Sequence, residues 1–291
     1  METTELLRKV RKIEIRTKGL VNQIFSGEYH SVFKGRGMAF SEVREYQFGD
    51  DIRLIDWNVS ARFNHPYIKV FEEERELTVM LVVDVSGSGE FGTVHQLKKD
   101  IAAELCAVLA FSALQNNDKV GVIFFSDVVE KFIPPKKGRT HILRIVRELL
   151  DFQPSHRKTN ITEGLRYLTS AIKKRSIAFL ISDFIGDGYD DALKIAARKH
   201  DLIGVHVYDP REEQLSPSGL IRVVDAETGE PAWVDTGDRF VRNGYSQWWK
   251  QNEEARKKLF RRSGVDAIDI RIDESYIQPL VSFFRTREKR W

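Results

Sequence analysis

The sequence predicts an α/β protein with a doubly wound, mainly parallel sheet, an antiparallel edge strand and a small N-terminal subdomain. After Arg75, near-continuous apolar runs alternate with stretches of helical periodicity, which is the pattern of strands covered on both faces. The chain of 291 residues is 42% hydrophobic and 31% charged, the balance of a globular protein. A chain of this length buries a substantial core, and we expect one main domain with additions.

Residues 1–75, before this alternation, are predicted to hold one amphipathic helix and a small irregular or β subdomain. Apolar residues from Leu6 to Ile24 recur at helical spacing and end before Gly27. The opposite face is rich in Arg and Lys, and a solvated face is favoured over a membrane-binding or partner-docking surface. From about Glu28 the pattern is irregular until the extended run Tyr67–Phe71.

The main domain is predicted over residues 76–291. Five apolar runs predict its parallel strands: Leu77–Val83, Val120–Phe125, Ile177–Ile181, Leu202–Val207 and Val265–Ile270. Helical periodicity predicts helices at about Thr93–Gln115, His141–Leu150, Ile161–Lys173, Asp190–Lys199, Phe240–Arg262 and Tyr276–Arg285. The run Val129–Ile133 predicts an antiparallel edge strand, and residues 220–234 predict a surface hairpin that turns near Thr228 and Gly229.

Composition narrows the possible functions and the compartment. A net charge of +3, from 46 basic and 43 acidic residues, does not favour nucleic acid or an anionic membrane as the partner. The single cysteine, Cys106, excludes an internal disulfide and is predicted to be a small buried hydrophobe. The sequence has no apolar run of about 18 residues and no signal-peptide pattern, so we expect a cytoplasmic protein without a transmembrane segment.

The loop after the first strand of the main domain contains two overlapping motifs. Gly87-x-Gly89-x-x-Gly92 formally matches a dinucleotide fingerprint, but Asp84 would place a carboxylate beside the pyrophosphate. The acidic residue expected about 20 residues further on is also missing, because the next strand ends near Asp127. Asp84-x-Ser86-x-Ser88 is instead a row of hard oxygen ligands, which suits Mg²⁺ or Mn²⁺.

Two further oxygen ligands are predicted from other loops at the same edge of the sheet. Thr159 precedes the helix that starts near Ile161, and Asp183 follows the apolar run Ile177–Ile181. Taken alone, Thr159 could be a helix cap and Asp183 a solvated turn residue. Together with the row on the first loop they give two carboxylates and three hydroxyls, a set that leaves a coordination position open. We therefore predict one divalent metal site.

At these residues the chain resembles the von Willebrand factor A (vWA) domain family, whose metal ion-dependent adhesion site uses Asp-x-Ser-x-Ser, a later Thr and a later Asp. More closely, it resembles the DUF58 family of bacterial vWA-like proteins over nearly its whole length. That closer resemblance is carried by these segments: Arg44-Glu45-Tyr46, Gly49-Asp50-Asp51-x-Arg53, Ile55-Asp56-Trp57, Ser60-Ala61-Arg62, Phe71-Glu72 and Ser182-Asp183-Phe184.

The resemblance implies roles for the predicted ligands. Ser86, Ser88 and Thr159 would contact the metal directly, whereas Asp84 and Asp183 would act directly or through water. An acidic residue of a partner protein would complete the octahedron. A MoxR-type AAA+ ATPase is a further implied partner. One departure is Gly89, which stands where relatives often carry Met.

Three functions remain open at this point. The first is a metal-dependent protein-binding module, favoured because no His or Lys lies among the proposed ligands to act as a general base. The second is a metal-dependent hydrolase of phosphate esters, with water activated between Asp84 and Asp183. The third is a scaffold whose metal site is vestigial.

Two surfaces also have alternative interpretations. The interspersed charges between Arg44 and Arg62 predict an ion-pair network that pins the subdomain to the main domain, with Trp57 as its apolar anchor. A partner-binding surface is the alternative. The pair Trp248 and Trp249 is predicted to be core rather than an exposed docking patch.

Overall fold

The structure, a computed structural model, describes residues 10–11, 38–73, 77–93 and 96–289. Apart from Val10 and Arg11, the predicted N-terminal amphipathic helix lies outside these residues. The described chain forms two compact units. The small one falls within residues 33–77, and the large one includes the chain from Thr78 onward.

The small unit is a strand pair with one short helix. Strand β1 (Met38–Glu45) pairs antiparallel with β2 (Tyr67–Glu73), and between them lie a 3-10 turn (Ile52–Leu54) and helix α1 (Trp57–Phe63). The sequence predicted the extended run of β2 but neither β1 nor α1. Asp56 is the N-cap of helix α1, because its carboxylate accepts hydrogen bonds from the backbone amides of Asn58 and Val59.

Ion pairs order the surface of the small unit. Arg44 donates two hydrogen bonds of 2.8 Å to the Asp50 carboxylate, and Arg53 lies 2.8 Å from Asp51. These pairs join residues of the unit to one another. Trp57 is 71% exposed, so it is not packed into a core of the small unit, and its role as an anchor to the main domain stays a prediction.

Among the described residues, the large unit holds a six-stranded sheet in the order β10-β7-β6-β3-β4-β5. Its strands are β3 (Thr78–Asp84), β4 (Lys119–Phe125), β5 (Val129–Lys136), β6 (Ile177–Ser182), β7 (Asp201–Tyr208) and β10 (Asp266–Arg271). All pairings are parallel except that of the edge strand β5 with β4. The predicted doubly wound, mainly parallel sheet with an antiparallel edge strand is confirmed.

Helices cover both faces of this sheet. They are α2 (Lys98–Gln115), α3 (Arg139–Asp151), α4 (Ile161–Ala171), α5 (Asp190–Lys199), α6 (Arg239–Ser263) and α7 (Ile277–Glu288). One core joins α4, α5 and α6 to alternate residues of β3 and β6, while α2 contacts the sheet from the other face together with α3 and α7. This placement follows from right-handed crossovers that run in opposite directions from β3.

Several boundaries and surfaces differ from the sequence prediction. Helix α2 begins at Lys98 rather than at Thr93, because the amide and hydroxyl of Thr93 both donate to the Asp209 carboxylate at 2.7 Å. Of the tryptophan pair predicted to be core, Trp249 is buried, but Trp248 is 44% exposed.

Outside the main sheet, β8 (Leu220–Val224) and β9 (Pro231–Asp235) form a two-stranded hairpin in the predicted segment. Cys106 is buried, as expected of a small hydrophobe.

Candidate metal centre

The strand order places a ligand-binding crevice at β3. This strand pairs with β4 on one side and with β6 on the other, so the chain changes direction there and the loops on either side diverge. Ligands of open α/β sheets bind at such a switch point, outside the carboxyl ends of the strands. Asp84 is the last residue of β3, and Asp183 directly follows β6. Because Val83 and Ile181 are register partners, both aspartates lie at this edge.

The loop after β3 turns its serines back toward Asp84. The backbone amide of Ser86 donates to one Asp84 carboxylate oxygen at 3.0 Å, and a 3-10 turn over Gly87–Glu90 follows. The hydroxyl oxygens of Ser86 and Ser88 are 3.1 Å apart. The predicted row of oxygen ligands is therefore compact and faces one point.

The loop after β6 brings the second carboxylate to the same point. The Ser182 hydroxyl donates to the other Asp84 oxygen at 2.6 Å, and the Ser88 hydroxyl is among the groups that lower the pKa of Asp183. Phe184 has a φ of 55°, a left-handed conformation that costs about 1 kcal/mol for a residue with a side chain. Asp183 is only 7% exposed, so the alternative of a solvated turn residue is wrong.

Thr159 lies in the third loop, just before α4. The backbone carbonyl of Arg157, two residues earlier, accepts a 2.8 Å hydrogen bond from the Gly87 amide, which joins this loop to the serine row. The Thr159 hydroxyl donates to Glu227 on the β8–β9 hairpin at 2.6 Å. Asn160 occupies the cap position of α4, so the helix-cap alternative for Thr159 is wrong. The structure thus brings all five predicted residues to one edge of the sheet.

Sequence reasoning missed a buried lysine beside these carboxylates. The Lys98 ammonium lies 2.9 Å from Asp183 and 2.6 Å from Glu212, and its side chain is 4% exposed. Burial lowers the pKa of Lys98, but the charges of Asp183 and Glu212 and their hydrogen bonds outweigh burial and raise it overall. Lys98 is therefore a fixed positive charge. The one signal in the sequence is a lysine at the start of a helix whose buried side is otherwise apolar except for Ser112.

The pKa values of the two aspartates are shifted in opposite directions. Burial first, and the nearby charge of Asp183 second, raise the pKa of Asp84 to about 6. Burial also acts to raise the pKa of Asp183, but Lys98 and the hydrogen bonds to this carboxylate lower it overall. Asp84 is thus a carboxylate with like charge nearby and, among the residues that the structure describes, no ammonium partner of its own, so a cation placed beside it would offset that repulsion.

The arrangement fits a divalent cation. Hydroxyl and carboxylate oxygens are the hard ligands that Mg²⁺ and Mn²⁺ take. The three carboxylates of Asp84, Asp183 and Glu212 against the one ammonium of Lys98 leave two negative charges. Asp84, Ser86, Ser88, Thr159 and Asp183 are the residues that would hold the ion.

A second group could also hold a metal ion. Ligand atoms of His206, Glu253 and Asp269 lie within 4.8 Å of one another. The Arg256 guanidinium, however, lies 3.0 Å from Glu253 and 2.7 Å from Asp269, and already supplies the positive charge there. At the β3 loop Lys98 holds Asp183, whereas Asp84 is held by the neutral Ser182 hydroxyl, so that site keeps a carboxylate for the ion and is the stronger candidate.

The chain is similar to known proteins in sequence and in fold. Residues 42–255 match the family described as "Protein of unknown function DUF58". An uncharacterised protein of Mycobacterium tuberculosis, Rv1480, is 26% identical over 292 aligned residues, which cover 99% of this chain and 92% of that protein.

Two solved structures are similar to this chain. An aerotolerance-related membrane protein of Bacteroides fragilis, crystallised with multiple mutations to serines, has a TM-score of 0.51 at 15% identity and covers 74% of this chain and 100% of that one. The conserved hypothetical protein BatB of Bacteroides thetaiotaomicron has a TM-score of 0.47 at 18% identity over 73% and 99% of the two chains. Such likeness concerns the fold. Within the described residues of the present chain, no helix combines the length and the apolar character needed to cross a bilayer.

Proposed function

This chain belongs to the DUF58 family, and we propose that it is a non-enzymatic protein-binding module that holds an acidic residue of its partner through a divalent metal ion. The observation that carries the proposal is the convergence of three loops on one edge of the sheet. Hydroxyl oxygens of Ser86 and Ser88 face the carboxylates of Asp84 and Asp183, and Thr159 reaches the same edge from the loop before α4.

The chemistry of the ligands favours binding over turnover. A bound divalent ion would supply a Lewis-acidic position for an incoming carboxylate. Hydroxyl-rich coordination donates little negative charge, which preserves the attraction of such a site for a carboxylate from outside. Ser182 holds Asp84 with a 2.6 Å hydrogen bond, and Lys98 holds Asp183, so both aspartates are fixed before a partner arrives.

The alternative of a phosphate-ester hydrolase is disfavoured by the protonation of Lys98 and by the hydrogen bonds that Asp84 accepts. No His or Lys is among the proposed ligands, but Lys98 lies beside one of them, Asp183. A general base must be able to accept a proton near neutral pH. Because the pKa of Lys98 is raised by Asp183 and Glu212 despite burial, this amine stays protonated and cannot do so. Asp84, the carboxylate that this alternative would use, already accepts a hydrogen bond on each oxygen, from the Ser86 amide and from the Ser182 hydroxyl.

The proposal also names the class of protein to which the partner belongs. A MoxR-type AAA+ ATPase is the partner that the family resemblance implies, and one acidic side chain on it would meet the metal. We expect the interaction to need Mg²⁺ or Mn²⁺. A vestigial site on a scaffold is the remaining alternative, and it predicts no metal requirement.

A Mg²⁺ titration by calorimetry tests the proposal. We expect the full chain to bind one ion and Ser86→Ala to bind it about 10- to 100-fold more weakly, while Ser170→Ala, on the exposed face of α4, leaves the affinity unchanged. Biolayer interferometry with a purified MoxR-type ATPase should then show binding in Mg²⁺ that is lost in EDTA. Absence of heat in all three proteins would favour the vestigial site, and steady Mg²⁺-dependent hydrolysis of p-nitrophenyl phosphate would favour the hydrolase.

A further inference from the structure

The β8–β9 hairpin places a carboxylate of this chain at the metal centre. Glu227, at the tip of the hairpin, accepts a hydrogen bond of 2.6 Å from the Thr159 hydroxyl. The two residues are 68 positions apart in the chain, so nothing in the local sequence requires this contact. Glu227 is therefore within reach of the same cation as the predicted ligand Thr159.

The hairpin tip also contacts the loop that carries the serine row. A Cβ added to Gly87 would lie 2.1 Å from the backbone oxygen of Ala226, the residue before Glu227. Only a residue without a side chain permits so close an approach of two backbones. The tip thus fits against two of the three loops that form the metal centre, at Gly87 and at Thr159.

The tip is ordered by its own hydrogen bonds. The Asp225 carboxylate accepts from the backbone amides of Glu227 and Thr228 at 2.8 and 3.0 Å, and the Gly229 amide donates to the Asp225 carbonyl. Such an Asp-initiated turn fixes the backbone before any contact is made. Glu227 is presented to the metal centre by a preformed turn.

The strands of the hairpin are attached weakly to the rest of the fold. β8 and β9 pair with each other as a sheet of their own, and Leu220 and Trp233 are 64% and 68% exposed. At the base, the buried Thr236 hydroxyl donates to the Gly219 carbonyl at 2.7 Å. A hairpin held at its base and its tip, with exposed strands between, can release the tip without unfolding the domain.

We propose that Glu227 is an internal carboxylate ligand of the metal centre, and that it occupies the coordination position which the acidic residue of a partner takes when it displaces the hairpin. This inference rests on the proposed function. It adds a sixth protein ligand and makes the hairpin a competitor of the partner. A partner's carboxylate must displace Glu227 from the metal, so the partner's affinity is reduced by the affinity of Glu227 for the same position. Loss of Glu227 therefore opens the metal to outside carboxylates.

Water proton relaxation with Mn²⁺ tests the proposal on the full chain. Bound Mn²⁺ accelerates relaxation in proportion to the exchangeable waters on it, so the signal reports a ligand that leaves. In Glu227→Ala we expect about one additional exchangeable water on the metal and a Mn²⁺ affinity about 10- to 100-fold weaker. Sodium acetate, as the carboxylate probe, should lower the relaxation of the Glu227→Ala complex and leave that of the unsubstituted chain unchanged.

The matched control is Glu230→Ala, which removes an exposed carboxylate from the same turn and should behave as the unsubstituted chain. Equal relaxation and equal acetate response in Glu227→Ala and the unsubstituted chain would overturn the inference and leave the proposed function intact. A weaker affinity with no added water would also overturn it, because Glu227 would then only orient Thr159. If the unsubstituted chain itself binds no Mn²⁺, the proposed function fails and the inference fails with it.

Discussion

The sharpest consequence of the candidate centre concerns Lys98. Substitution by Met keeps most of the side-chain volume but removes the ammonium from between Asp183 and Glu212, whose side chains are 3% and 11% exposed. Removing one partner of a buried ion pair costs about 3 to 5 kcal/mol, because the remaining charge stays buried without compensation. At roughly 2 to 4 °C per kcal/mol for a domain of this size, the melting temperature of Lys98→Met should fall by roughly 6 to 20 °C.

Urea unfolding followed by circular dichroism, in EDTA and in saturating Mg²⁺, measures the loss in free energy of unfolding, and thermal unfolding measures the fall in melting temperature. Lys99→Met is the matched control, since its side chain is 54% exposed, lies 3.5 Å from the exposed Glu90, and should matter by no more than about 0.5 kcal/mol. Mg²⁺ should stabilise Lys98→Met more than the unsubstituted chain, because the ion then supplies the missing positive charge and is not repelled by the ammonium. Equal stability of Lys98→Met and Lys99→Met in EDTA would refute the reasoning, as would an equal gain from Mg²⁺ in both.

Three further outcomes follow from the geometry. Gly87→Ala should destabilise the chain by about 1 to 3 kcal/mol and speed hydrogen exchange of the hairpin tip, because the added Cβ meets the Ala226 oxygen at 2.1 Å. Gly89→Ala is the control and should change neither quantity, since the nearest atom to its added Cβ is 3.7 Å away. Burial lowers the pKa of His200 from 6.5 to about 4, so the free energy of unfolding should fall by about 2 to 3 kcal/mol between pH 7 and pH 4.5. In urea titrations, His200→Gln should remove that part of the pH dependence. Gly244 is exposed in the second turn of α6, with open space around an added Cβ. Gly244→Ala should raise the free energy of unfolding by about 0.5 to 1 kcal/mol, and an unchanged or lower value would contradict the placement of this helix.

The sheet could be predicted from the sequence because its strands are buried on both faces. Central strands such as β3 and β6 have almost no polar residue between their ends, and that pattern occurs in few other settings. The start of α2 was predicted five residues too early, since the side chain that holds Thr93, Asp209, is more than a hundred residues away. Strand β1 was missed because three of its last four residues, Glu42, Arg44 and Glu45, are charged.

The sequence could predict some residues of the candidate metal centre but not others. Asp84 and Asp183 could be placed together because the carboxyl ends of parallel strands share one edge of a sheet, and Thr159 because it opens a helix at that edge. Lys98, Glu212 and Glu227 could not be placed. Lys98 lies on a predicted helix and Glu227 on the predicted hairpin, but tertiary packing alone brings either side chain to the β3 loop.

The most direct measurement is anomalous scattering from crystals grown with Mn²⁺. We predict one anomalous peak at the β3 loop, with the Ser86 and Ser88 hydroxyl oxygens about 2.0 to 2.3 Å from it and Thr159 in the same coordination sphere. A peak among His206, Glu253 and Asp269 instead, or a Mn²⁺-saturated crystal with no peak at the β3 loop, would contradict the assignment of the metal centre.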